Sequence, residues 1–147
     1  MNKVKTITVC SSASFFRDVL AIRDKLKRAG FQVKIPLTAE KMEQSGDFKV
    51  RSYKTWFKDD DDYKIKTKLI NDHFKKVIES DAILVVNQRK NGAPGYIGGN
   101  TLMEMAIAFH YKKPIYLWNP IAKGCLFEEE IRGLDPILIN RDLSKIK

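Results

Sequence analysis

The sequence predicts an α/β protein: an open, mostly parallel sheet of about five strands with helices on both faces, in strand order 2-1-3-4-5. Three observations carry this expectation. Short runs rich in Val, Ile and Thr alternate with stretches of helical apolar periodicity along the whole chain. The run Ala82-Ile-Leu-Val-Val86 is continuously apolar and bounded by polar residues, as a strand buried on both faces is. Gly30, Pro36 and Pro114 stand where elements should end.

Val4 to Cys10 reads as strand one. Ser11-Ser12-Ala13-Ser14 then turns the chain and offers hydroxyls to cap a helix. That helix has Phe15, Phe16, Val19, Leu20, Ile22 and Leu26 at helical spacing, with Gly30 at its C′ position. Phe31 to Ile35 is strand two, stopped by Pro36. The first 36 residues are therefore a β-α-β unit, which implies a right-handed crossover. Ala39 to Asp62 is the least legible part. Its Trp56-Phe57 pair suits a lid over a ligand, and its Asp59–Asp62 run suits a solvated loop or helix cap better than a metal site. Tyr63 to Glu79 returns to helical spacing, with Ile65, Leu69, Ile70, Phe74, Val77 and Ile78 on one side. Strand three spans Ala82 to Asn87. A loop with four glycines leads to a helix expected to start near Asn100 or Thr101, which places Glu104 in its first turn. Lys112 and Lys113 suit the end of that helix, Ile115 to Trp118 is strand four, and Ile137 to Ile139 is the last strand after a short helix.

The 147 residues are expected to form one domain, 1–147, burying roughly 70% of the unfolded surface without metal or disulfide. No apolar run approaches the roughly 20 residues of a membrane span. Met1 to Cys10 is too short and mixed for a signal peptide, so a cytoplasmic protein is expected, with Cys10 and Cys125 reduced and packed. The net charge of +9 invites a nucleic-acid partner, but the cations are spread evenly and no RNA-binding or zinc-finger signature accompanies them. A solvated basic surface is the commoner explanation, with a positive field that gathers phosphorylated small molecules as its functional variant.

In a 2-1-3-4-5 sheet of the flavodoxin or Rossmann-like kind, strand order reverses between strands one and three, and ligands bind beyond their carboxyl ends. Those ends carry the Ser11–Ser14 loop and the Asn87–Thr101 loop. Familiar signatures are missing from both. Six residues separate Cys10 from Arg17, too many for a cysteine phosphatase loop. No Gly-Lys-Ser/Thr closes a P-loop, and Gly95, Gly98 and Gly99 miss the dinucleotide spacing. What remains is a set of hydroxyl and amide donors beside one carboxylate, which suits a sugar whose anomeric carbon becomes cationic during reaction. A carboxylate can stabilise that centre or attack it. The candidates are Glu104 as nucleophile or cation stabiliser, and Ser11, Ser12, Ser14, Gly98, Gly99, Asn100 and Thr101 for the sugar and any 5′-phosphate, the phosphate on Ser11–Ser14. Asn87 and Tyr96 stand at the mouth. This chemistry needs no cofactor and no metal.

The motifs Ile7-Thr-Val-Cys-Ser-Ser12 with Phe15-Phe16, Ser80-Asp81-Ala-Ile-Leu-Val-Val and Glu104-Met-Ala-Ile-Ala108 resemble the nucleoside 2-deoxyribosyltransferase-like superfamily, which includes deoxynucleoside-monophosphate N-glycosidases. The last is similar to that family's E-x-G-x-A, with Ala106 for glycine. The resemblance implies that Glu104 is the nucleophile on the anomeric carbon. It also implies a catalytic role for His73 with Asp72, because family members often carry an aspartate where His73 stands, counted back from Asp81. Homo-oligomers are expected, since such enzymes tend to complete their sites with a neighbouring chain. Gly98-Gly99-Asn-Thr101-x-x-Glu104 is also similar to the loop of Lonely-Guy-type phosphoribohydrolases. The expected function is cleavage or transfer at the N-glycosidic bond of a nucleoside or nucleoside 5′-monophosphate. A non-catalytic nucleotide sensor on the same fold is the alternative.

Overall fold

In the computed structural model, which describes residues 3–147, β1 (Thr6–Cys10), β2 (Gln32–Lys34), β3 (Ala82–Val85), β4 (Ile115–Leu117) and β5 (Ile137–Leu138) form one all-parallel sheet in the order β2-β1-β3-β4-β5. The expected order and class hold. Met1 and Asn2, part of the stretch read as too mixed for a signal, lie outside the described residues. Among the described residues, no helix is long and apolar enough to cross a membrane.

Strand alternation sends side chains to two cores. Ile7, Val9, Leu84 and Tyr116 pack on one face against α1 (Phe16–Arg28) and α2 (Leu37–Ser45). Cys10, Ile83, Val85 and Leu117 pack on the other, against Val77 of α3 (Tyr63–Glu79), Met105 of α4 (Gly99–His110) and Ile131 of α5 (Glu128–Gly133). Every residue of β3 is buried, as its unbroken apolar run requires. Asp81, just before it, accepts from the backbone N–H groups of Lys5 and Thr6 at 2.9 Å each, and these bonds hold its carboxyl below the usual carboxylate range.

The α1 helix buries Phe16, Val19, Ile22 and Leu26, the periodic residues of its sequence. It ends at Gly30, whose φ of 98° lets its N–H reach Lys27 O while Phe31 N–H reaches Leu26 O. The sequence did not reveal α2. Only Ala39 and Met42 of that helix are buried, too few to impose a visible period, and a bidentate Arg23–Glu43 pair adds its anchor to α1. Beyond it, residues 46–62 run through three single 3₁₀ turns before α3.

Two loops beyond the sheet are locked together. Asn87 Oδ1 accepts from Asn119 N–H at 2.9 Å, Asn87 Nδ2 donates to Asn119 O at 2.7 Å, and Asn119 Nδ2 returns a bond to Asn87 O at 3.0 Å. Gly95 closes against the same strap with φ 61°, and a Cβ there would fall on the Pro120 carbonyl oxygen. Gly95→Ala should therefore cost about 2 kcal/mol or more of stability. Chemical denaturation checks this, and a change within about 0.5 kcal/mol would show that the loop gives way freely.

Candidate functional site

At the carboxyl ends of β1 and β3 the chain leaves in opposite directions, and a cavity of about 190 Å³ opens between them. The loop after β1 forms one side and the start of α4 another. The body of α3 and the 3₁₀ segment Val50–Phe57 complete it.

Glu104 lies at its base with 3% of its surface exposed. The helix that carries it starts at Gly99, one or two residues earlier than expected, so no acidic residue occupies the first turn and Glu104 belongs to the second. Simple complementation of the helix dipole at an exposed N-terminus therefore does not account for this carboxylate. Asn100, one turn earlier, donates from Nδ2 to Glu104 Oε2 at 3.0 Å, and Lys66 Nζ donates to Asn100 Oδ1 at 3.0 Å. His73 Nε2 is 3.7 Å from Glu104 Oε1 and 3.4 Å from Cys10 Sγ.

Burial pushes the Glu104 carboxyl up to about 8, against the opposing pull of the Cys10 thiol, the Lys66 charge and the Asn100 amide. Burial together with the Lys76 charge takes His73 down to about 4, so its contact with Glu104 at neutral pH is that of a neutral imidazole and not an ion pair. The Val9 carbonyl acts on the ring, but His73 Nδ1 reaches no partner at hydrogen-bond geometry. The Cys10 thiol is raised by burial and by Glu104, which keeps it a protonated donor rather than a nucleophile. Cys10, His73 and Glu104 bring three possible metal-ligand atoms within 4.8 Å of one another. The Lys66 charge beside Glu104 opposes a cation there, and the three groups suit a proton-sharing network.

The cavity brings together Ser11, Ser12, His73, Tyr96, Gly98, Gly99, Asn100, Thr101 and Glu104, drawn from three stretches distant in sequence. Thr101 is buried with its hydroxyl unpartnered, a donor facing the same space. Three other candidates stand off the cavity. Ser14 is exposed within the 3₁₀ turn Ala13–Phe15. Asn87 is spent on the Asn119 strap, and Asp72 Oδ2 lies 3.0 Å from Lys76 Nζ. The Asp59–Asp62 run is a helix lead-in: Asp59 accepts from Asp61 N–H, and Asp62 stands at the N-cap position of α3 without a side-chain capping bond.

The sequence did not mark Cys10, Tyr53, Lys54, Lys66 or Lys90 as site residues, and it offered Trp56 only as part of a lid. Cys10 is fully buried beside Glu104, and the other five line the cavity. Trp56, with 4% exposed, faces Lys66 Nζ at 5.5 Å from the ring centroid, and Lys90 Nζ lies 4.9 Å from the Tyr96 centroid. One available sign was that Trp56 stands in a polar segment that shows no helical or strand period to employ it.

No protein-family model and no curated protein matches the chain. The 2-deoxyribosyltransferase from Bacillus psychrosaccharolyticus, a biocatalyst for nucleoside synthesis, is similar in structure: the match covers 96% of this chain and 95% of that one, with a TM-score of 0.59 and 15% identity. At that identity the likeness establishes a shared fold.

Proposed function

We propose that the protein cleaves or transfers at the N-glycosidic bond of a nucleoside or nucleotide, with Glu104 as nucleophile. The observation that carries this reading is a single buried carboxylate in the lining of a cavity, held by Asn100 and set beside the Cys10 thiol and the His73 imidazole. The ionised Glu104 oxygen attacks the anomeric carbon as the C–N bond breaks. The base leaves with the electron pair and takes up a proton, and a glycosyl ester remains on Glu104. Water or a second base then attacks the anomeric carbon and restores the carboxylate. Cys10 and His73 position Glu104, which burial keeps protonated when the site is empty, with Asp72 lying further out beside Lys76. Tyr53 and Trp56 offer ring surface to the base, and the Thr101 hydroxyl and the backbone at Gly98 and Gly99 serve the sugar. The fold shared with a deoxyribosyltransferase supports the reading without deciding the reaction.

The test is incubation with a panel of nucleosides and nucleoside 5′-monophosphates, followed by detection of free base. Release from at least one member is expected. No release from any, with a nucleotide nevertheless bound, would make this a nucleotide-binding protein. The chain should also associate with itself. Phe57 and Tyr63 next to Trp56, together with Met103 on α4, expose apolar surface beside the cavity. A dimer or larger species is expected on a sizing column at micromolar concentration. A fully active monomer would count against a site completed by a neighbour.

A further inference from the structure

The cavity has an excess of positive charge that the bond-breaking chemistry does not use. Lys54 comes from the 3₁₀ segment, Lys66 from α3 and Lys90 from the loop after β3, and all three line the same space. The ion pairs formed among the described residues belong to other cations, so none of the three is neutralised by a carboxylate within 4.0 Å. Glu104 is the sole acidic residue lining the cavity, and burial favours its neutral form. Lys54 and Lys66 are half-buried, and Lys54 also feels the charges of Lys66 and Lys90. Partly desolvated cations gathered against their own repulsion lower the stability of the empty protein, and an anion entering between them relieves that cost.

The three do not have the same task. Lys66 is committed to Asn100 and through it to Glu104. Lys90 Nζ lies 3.4 Å from Ser12 Oγ, and the Lys54 ammonium has no hydrogen-bond partner among the described residues. Lys90 and Lys54 thus remain for a ligand, with the Ser12 hydroxyl between the loop after β1 and Lys90. Two point charges and a hydroxyl suit the oxygens of a phosphate monoester, and an uncharged nucleoside would leave them unanswered. Resting on the reading of Glu104 above, we infer that the substrate is a nucleoside carrying a terminal phosphate monoester, seated on Lys54, Lys90 and Ser12. This keeps Ser12 of the loop after β1 as a phosphate partner, leaves Ser14 out, and adds the two cavity lysines.

Calorimetric titration of the Glu104→Gln protein, which should not consume its ligand, separates this inference from the catalytic one. The probes are the four common 2′-deoxynucleoside 5′-monophosphates, their parent nucleosides and inorganic phosphate. At least one monophosphate should bind about tenfold or more tightly than its nucleoside. Lys54→Gln and Lys90→Gln should each weaken that monophosphate about tenfold and leave the nucleoside unchanged. Lys123→Gln, which removes an exposed charge outside the cavity, should change neither by more than about twofold. Equal affinity for monophosphate and nucleoside, or equal loss of both in the lysine variants, would overturn the seat. So would inorganic phosphate binding as tightly as the best monophosphate, or no binding by any probe. Lysine-dependent monophosphate binding by a wild-type protein that releases no base would uphold the seat and remove the catalytic reading alone.

Discussion

Glu104→Gln should bring base release down by about a thousandfold or more while the protein stays folded. Glutamine keeps the volume of the side chain and an oxygen to accept from Asn100, so the base of the cavity need not collapse. It loses the anion that bonds to the anomeric carbon, and removal of a nucleophile typically costs several orders of magnitude in rate. Glu104→Ala should do the same with some added loss of packing. Because burial sets the carboxyl at about 8 in the empty site, wild-type kcat/KM should rise with pH toward that value as the free enzyme ionises. Steady-state rates across pH check both points. A glutamine variant that retains near-normal turnover would remove Glu104 from the chemistry.

The same carboxyl should make the protein lose stability on the alkaline side. Its folded value of about 8 lies above the ordinary 4.5, so the folded chain holds this proton more tightly than the unfolded chain does. The resulting stabilisation is complete below pH 4.5. It drains away as pH climbs toward 8, for a total on the order of a few kcal/mol. His73 works in the opposite sense. Its folded value of about 4 lies below 6.5, so it costs stability as pH falls from 6.5 toward 4. Glu104→Gln removes the first slope and leaves the second. In the wild type the two slopes oppose each other up to about pH 6.5, so its urea midpoints should stay nearly level there and then fall toward about pH 8, whereas those of the variant should rise up to about pH 6.5 and then stay level, making it the more stable of the two near pH 8. Parallel curves would show that Glu104 is solvated enough to ionise freely.

The sheet was legible because its signals are local. The apolar run of β3, the Gly30 terminator and the spacing of α3, whose observed bounds match the expected ones, each act within a few residues. The crevice was legible because strand order dictates where a parallel sheet opens. The missed parts depend on contacts between distant segments. The α2 helix shows too little periodicity to be read without α1 beneath it. Cys10 reads as one more strand residue until α3 and α4 place His73 and Glu104 beside it. The three cavity lysines look like any others in a chain of 27 basic residues, because convergence from three elements leaves no spacing to detect. Ser14 and Asn87 show the converse. Their residue types suit a site, but a turn directs one outward and a strap occupies the other.

The Asn87–Asn119 strap and the segment 46–62 differ in their freedom to change. Everything tied to the strap belongs to the sheet, and altering those residues disturbs the chain's register as well as its chemistry. Residues 46–62 carry no strand and pack as three separate short turns, yet they bring Tyr53, Lys54 and Trp56 to the opposite wall. On the proposed reading, the bond-breaking carboxylate sits on a helix packed against the sheet, while part of the wall that meets the ligand comes from these short turns. Changes within residues 46–62 would then alter which base or charge is accepted while Glu104, Asn100 and Cys10 stay in place.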